Sequence, residues 1–254
     1  MTIVGDPHAG QEPSLYGQEP LPTSSQEAAP GLVDQFVGLL TEPVALFRRL
    51  NRTPVFWGAL LVLTVTAVAS TLIWGLKVDV DAMLRPALEK NPALSADQID
   101  SAISIQGKFM FPFSVVGALL GTPIAIAFFA LINWGLACLF PEGERPTYKQ
   151  AMSAVAVTGL LGALRNVLVM VMCLLRPVGG ATPEKLVPTN PGFFVHVANP
   201  KLQALLTSLD LLTIGSLVLG FLAMRHVLRG RAVAAWISTT LGILAALVAV
   251  AFAK

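Results

Sequence analysis

The sequence predicts an all-α polytopic membrane protein, with five transmembrane helices preceded by an N-terminal interfacial amphipathic helix. Five long apolar stretches run through the last 200 or so residues, and those at 55–76, 113–140 and 234–253 hold no charged side chain. The chain of 254 residues is 54% hydrophobic and only 13% charged, with a mean hydropathy of +0.70. Globular domains carry about 25% charged residues. A helix needs about 20 apolar residues to cross a hydrocarbon core of roughly 30 Å, and each stretch is that long. Backbone groups in lipid must be satisfied internally, and runs without period-two alternation do this as helices, not barrel strands.

Residues 1–30 hold Pro7, Pro13, Pro20, Pro22 and Pro30 among Gly, Gln, Glu and Ser. So little apolar surface cannot offset ordering entropy, and a disordered cytoplasmic tail is expected. The segment lacks a basic start followed by an apolar run, so 55–76 is expected to serve as the first signal anchor. Over 31–54 the apolar Leu32, Val33, Phe36, Val37 and Leu40 recur at helical spacing, then Arg48, Arg49 and Arg52 follow. That pattern predicts a helix in the headgroup plane, broken near Pro43. The other reading is a short helix packed on the cytoplasmic ends of the spans.

Residues 55–254 form the five-span membrane domain, its spans at 55–76, 113–140, 152–175, 205–228 and 234–253. In the loop 77–112, Ser95 can cap a helix and Gln98 can reach back, which predicts an amphipathic helix continuing through Ile99, Ile103 and Ile105. The loop 176–204 carries Pro177, Pro183, Pro188, Pro191 and Pro200 and is expected to be irregular. Lys and Arg are equally shared between the two sides. Short loops and span ends carry the orientation rule, however, and arginines crowd the entrance to the first span and the 225–231 turn. The prediction is N-terminus cytoplasmic, C-terminus outside.

A net charge of +2 without a basic patch excludes nucleic acid as a partner class. The two cysteines, Cys138 and Cys173, both fall within spans and read as small buried hydrophobes. Nucleophile-elbow, zinc-protease, phosphate-loop and dinucleotide motifs are all missing from the sequence, and His8, His196 and His226 are scattered. No catalytic residue, metal or cofactor is expected.

Ionisable residues inside spans cost about 2.5–3.5 kcal/mol at mid-membrane, so they mark where function is sought. Thr158, Gly159, Gly162, Arg165 and Asn166 share one face of the third span, and Asp210, Thr213, Ser216 and Gly220 share one face of the fourth. One reading is an Arg165–Asp210 ion pair, with Asn166 or Thr213 adding hydrogen bonds; the other is that Asp210 sits at the outer interface, solvated or capping, while Arg165 bonds carbonyls or another span. Arg165 lies about 15 Å below its span's outer end and Asp210 less deep, a gap that arginine snorkelling can shorten. The pairs Gly117/Gly121, Gly159/Ala163 and Ser216/Gly220, each four apart, predict close helix packing, and a homo-oligomer could use the same surfaces.

Glu42-Pro43-Val44-Ala45-Leu46-Phe47-Arg48-Arg49-Leu50 leads to Pro54, and Pro146-Thr147-Tyr148-Lys149-Gln150-Ala151 opens the third span. Asn199-Pro200 precedes Asp210-Leu211-Leu212-Thr213-Ile214, and Arg229-Gly230-Arg231 precedes the last span. In this order, over roughly 35–253, the chain resembles the YIP family, the Ypt/Rab-interacting membrane proteins, in its bacterial-type members. The resemblance implies a polar cytoplasmic N-terminus, a five-span domain and, for a bacterial-type member, the inner membrane. Eukaryotic members engage small GTPases at the cytoplasmic face. The functional expectation is a non-enzymatic, membrane-organising or partner-recruiting adaptor, with the lipid bilayer and a cytoplasmic protein as partners. Phe36, Phe47, Arg48, Arg49 and Arg229 are the expected contacts at that face. The alternative is a small transporter or channel using Arg165, Asn166 and Asp210.

Overall fold

The computed structural model describes residues 28–251, so all but the last three residues of the tail expected over 1–30 lie outside the described residues. Those described are helical with irregular connections. Three helices are long and apolar enough to cross a membrane: Trp57–Gly75, Ala96–Leu139 and Tyr148–Leu175. Leu32–Thr41, Leu211–His226 and the apolar run Ala232–Leu244 are shorter.

The chain begins with α1 (Leu32–Thr41) and α2 (Pro43–Arg52). Pro43 at the first position of α2 forces the break, because it lacks an N–H and disfavours helical geometry at Glu42, whose φ and ψ are −140° and 60°. The headgroup-plane expectation needs correction for α2. Leu46, Phe47 and Leu50 are buried among α7 (Tyr148–Thr158) and α11 (Leu211–His226), so this helix is a plug on the ends of the bundle. α1 is divided: Leu39 and Gln35 face inward, while Val33, Val37 and Leu40 stay exposed. The end of the molecule holding α1 and α2 is called here the near end.

α3 (Trp57–Gly75) crosses to the far end and packs along α8 (Leu160–Leu175). A Cβ on Gly159 would sit 3.0 Å from Leu63 Cδ1, so the glycine lets α3 approach the α7–α8 junction. At that junction Gly162 N–H donates to Gly159 O at 2.7 Å.

At the far end, α4 (Val80–Leu88) lies against α5 (Ala96–Val116). Ser95 and Gln98 form the reciprocal cap that the sequence predicts, at 3.4 and 2.9 Å. The helix it starts does not end in the loop. A π segment, Gly117–Gly121, joins α5 to α6 (Thr122–Leu139), making one rod of 44 residues. Pro112 is carried inside α5, and Pro123 at the start of α6 lacks the N–H that would bond the Leu119 carbonyl, a mismatch that the adjoining π segment absorbs. Gly117 and Gly121 have nothing within 4 Å of a built Cβ, so within this chain the expected Gly117/Gly121 packing face is open.

The fourth expected span is broken. α10 (Pro200–Ser208) stops before Asp210, whose extended backbone starts α11. The carboxylate offers the backbone a cap in place of a continuing helix. The connection 176–199 contains only the short α9 (Pro183–Leu186) and a 3₁₀ turn, Pro191–Phe193. α12 (Ala232–Ala251) closes the fold beside α11.

The main core joins α2, α7 and α11 through Phe47, Leu50, Val157, Ala223 and Met224. A second, far-end core gathers Trp74, Val169, Cys173, Val178 and Val187. Cys173 is fully buried and Cys138 half-buried.

Candidate functional site

Arg165 and Asp210 meet where α8 passes the first turn of α11. Arg165 Nε lies 3.5 Å from Asp210 Oδ2. Asp210 is 2% exposed and Arg165 32%. Oδ1 accepts the Leu212 N–H at 2.8 Å, and Oδ2 makes no hydrogen bond among the described residues. The carboxylate therefore has one oxygen given to the helix end and the other to the cation. The expected depth mismatch vanishes because α11 begins at Asp210, level with the reach of the arginine. Leu161 fills the space beside Gly215, where a Cβ would lie only 3.2 Å from Leu161 Cδ1, and so brings α8 against α11.

The four residues expected as one polar cluster divide three ways, with Arg165 and Asp210 paired and Asn166 and Thr213 each elsewhere. Asn166 turns to α3, donating to Thr66 Oγ1 at 3.4 Å. Thr213 lines a different space, about 280 Å³, with Asn133, Thr158, Ser216, Gly220 and Ser238. Neither bonds to the ion pair. Arg165 and Asn166 line a cavity of about 290 Å³ at the far end, walled by Ser70, Thr71, Ser114 and Glu184. Sequence reading missed Ser70 and Thr71. Thr66 and Ser70 are four apart on an apolar helix and were the available signal.

The near end is held by side chains bonding to backbone. Gln150 accepts the Thr147 N–H at 2.7 Å as part of a capping box and donates to Asn51 O at 2.8 Å. Asn51 donates to Val227 O at 2.5 Å, and Ser153 to Val55 O at 2.9 Å. Two connections zip together: Glu142 N–H donates to Arg229 O at 2.7 Å and Arg231 N–H to Phe140 O at 2.9 Å. Arg225 pairs with Glu142 and donates to Gly230 O at 2.9 Å.

Of the expected near-face contacts, Arg48 and Arg229 are exposed, while Arg49 is half-buried and reaches Ala28 O at 3.4 Å. Phe36 is half-buried against the core. Phe47 is corrected: with no exposed surface it is a core anchor and touches nothing outside. Arg229 has φ of 49°, the left-handed region that favours glycine. Among the described residues, no group of three His, Cys, Asp or Glu is placed to hold a metal ion.

Comparison with known proteins adds to this geometry. Residues 37–253 match the Yip1 domain. The membrane protein YknW of Bacillus subtilis strain 168 is 27% identical over 165 residues, covering 64% of this chain and 68% of its own. No solved structure matches.

Proposed function

This chain belongs to the Yip1 domain family and is an integral, multi-pass, all-α membrane protein, and from that premise we propose a non-enzymatic adaptor that recruits a cytoplasmic partner at its near end. In this reading α3, the rod's α6, α7 with α8, α11 and α12 are the five spans. The near end faces the cytoplasm and the C-terminus lies outside.

One observation carries the proposal. Arg48, Lys149, Arg229 and Arg231 are exposed on elements whose backbones are locked by Gln150, Asn51 and the paired connections. A fixed basic surface loses little entropy on binding, and it suits an acidic partner or anionic lipid. Removing residues 1–52 would also take Phe47 out of the core, so the discriminating variant is Arg48→Glu with Arg229→Glu. Cross-linking in cells should yield a near-stoichiometric partner with the wild type and lose it with the charge-reversed chain at equal membrane insertion. An unchanged set of cross-linked proteins would overturn the reading.

A second reading is favoured by the helix break at Asp210. Interrupted helices beside an ionised pair are how many transporters build a binding site. If Arg165, Asn166 and Asp210 carry ions or solute, Asp210→Asn abolishes flux in reconstituted vesicles. An adaptor is indifferent to that change.

A further inference from the structure

We propose that the far-end cavity binds a small zwitterion, its oxyanion on Arg165 and its ammonium group at Glu184; this does not depend on the adaptor reading. The cavity lies between α3, α5, α8 and α9, and its volume of about 290 Å³ is at the lower limit of small-molecule sites, about 300 Å³. That suits a headgroup-sized ligand.

Arg165 spends only Nε on Asp210, and no other hydrogen bond or ion pair reaches it among the described residues. A guanidinium has five donors in a planar fork, so both terminal nitrogens remain to take an oxyanion side by side. Ser70 and Thr71 line the same space, and their hydroxyls make no other hydrogen bond among the described residues. Asn166 donates one amide N–H to Thr66 and keeps its second N–H unbonded among the described residues. Donors dominate this floor.

The lip has the opposite sign. Glu184 is exposed on α9 and lines the same cavity. Asp210 already offsets the charge of Arg165, so with Glu184 the site is net negative and a bare anion is repelled. A bare cation would leave the arginine fork and the hydroxyls unfilled. A molecule with an oxyanion and an ammonium group a few atoms apart satisfies both ends. Trp74, next to last in α3, lines the cavity and donates its indole N–H to Ala181 O at 3.0 Å. Tryptophan concentrates at the lipid headgroup level, which places the site within reach of a phospholipid of that leaflet.

The chemistry is a phosphate with a nearby primary amine, either the headgroup of phosphatidylethanolamine or a free molecule such as phosphoethanolamine. The purified full chain, in detergent, is equilibrated with equal phosphatidylethanolamine and phosphatidylglycerol, and retained lipid is measured by mass spectrometry. The wild type should retain phosphatidylethanolamine about fivefold over phosphatidylglycerol. Glu184→Gln should bring that ratio close to one, and Thr71→Val should lower retention without changing the ratio. Added phosphoethanolamine that displaces the lipid identifies a soluble ligand; failure to displace it identifies the headgroup. Equal retention of both lipids by the wild type, or a ratio unchanged in Glu184→Gln, overturns the proposal.

Discussion

Asp210 holds two structures with its two oxygens: Oδ1 takes the Leu212 N–H at 2.8 Å and Oδ2 faces Arg165 Nε at 3.5 Å. One residue therefore starts α11 and ties it to α8. Removing Arg165 leaves a carboxylate that is 2% exposed without its counter-charge, a change that costs about 3–5 kcal/mol for buried pairs. Arg165→Ala should lower the thermal midpoint strongly. Asp210→Asn keeps a capping oxygen and should lower it less than Asp210→Ala. In the double-mutant cycle, the Arg165→Ala, Asp210→Ala chain should lose clearly less than the sum of the single losses, and strict additivity would show that the two do not interact.

Phe47 and Arg48 are neighbours in sequence with opposite roles. Phe47→Ala opens a hole in the main core and should cost about 3–5 kcal/mol, with α2 exchanging its amide hydrogens sooner. Arg48→Ala should stay within about 0.5 kcal/mol, since its side chain is exposed. Thermal unfolding of both variants in one detergent compares them directly.

Gly180 lies against backbone, not against a side chain that can swing away. A Cβ there would be 2.7 Å from the Ala82 carbonyl carbon and oxygen, so Gly180→Ala must push the 176–181 connection off α4. A loss of about 1–3 kcal/mol is expected. At Gly75 the obstacle is the Phe111 ring, 2.3 Å from the built Cβ. Phe111→Ala should therefore restore stability to Gly75→Ala and do nothing for Gly180→Ala.

The far end should loosen in acid. Hydrogen bonds from Arg85, the shortest at 2.6 Å, hold the Asp81 carboxyl below the usual carboxylate range, and the same arginine reaches Asp100 at 2.7 Å. A depressed folded-state pKa means the contribution is complete above the unfolded value, about 3.9, and fades as pH falls through the lower folded value. Hydrogen-exchange protection of α4, taken relative to the intrinsic rate at each pH, should fall below about pH 4 in the wild type. In Arg85→Ala the protection should be reduced already at neutral pH and no longer change with pH.

Arg229 sits in left-handed backbone, a strain of about 1–3 kcal/mol for a residue with a side chain. Arg229→Gly should raise the thermal midpoint. If this arginine is kept for a partner, the same variant loses the cross-linked partner while becoming more stable, a combination that a structural role does not produce.

Much of this was legible in composition and spacing. Uncharged runs identify α3, α6 and α12 because lipid admits no unpaired backbone, and Ser95 with Gln98 locates the start of the long rod to the residue. The rod's continuation through Pro112 was not legible, since a single proline commonly ends a helix, and the π segment beside Pro123 leaves no sequence mark of its own. A capping Asp210 was one of two readings the sequence left open, and the apolar residues on both sides of it gave no sign that the helix breaks there. Amphipathic spacing could not say whether Leu46, Phe47 and Leu50 face lipid or protein, because both solvents are apolar.

The uninterrupted rod from Ala96 to Leu139 sets a standoff. At about 1.5 Å per residue its 44 residues extend about 66 Å, roughly twice the hydrocarbon thickness of a bilayer. Phe111 meets α3 at its last residue, Gly75, and residues 96–110 continue past that helix end for about 22 Å. α4 braces that projecting length, with Val80 against Gly107 and Arg85 against Asp100. Whatever nears the molecule from that side, a neighbouring protein or an apposed surface, touches this braced post before it reaches the end of α3, so the length of one helix fixes the gap.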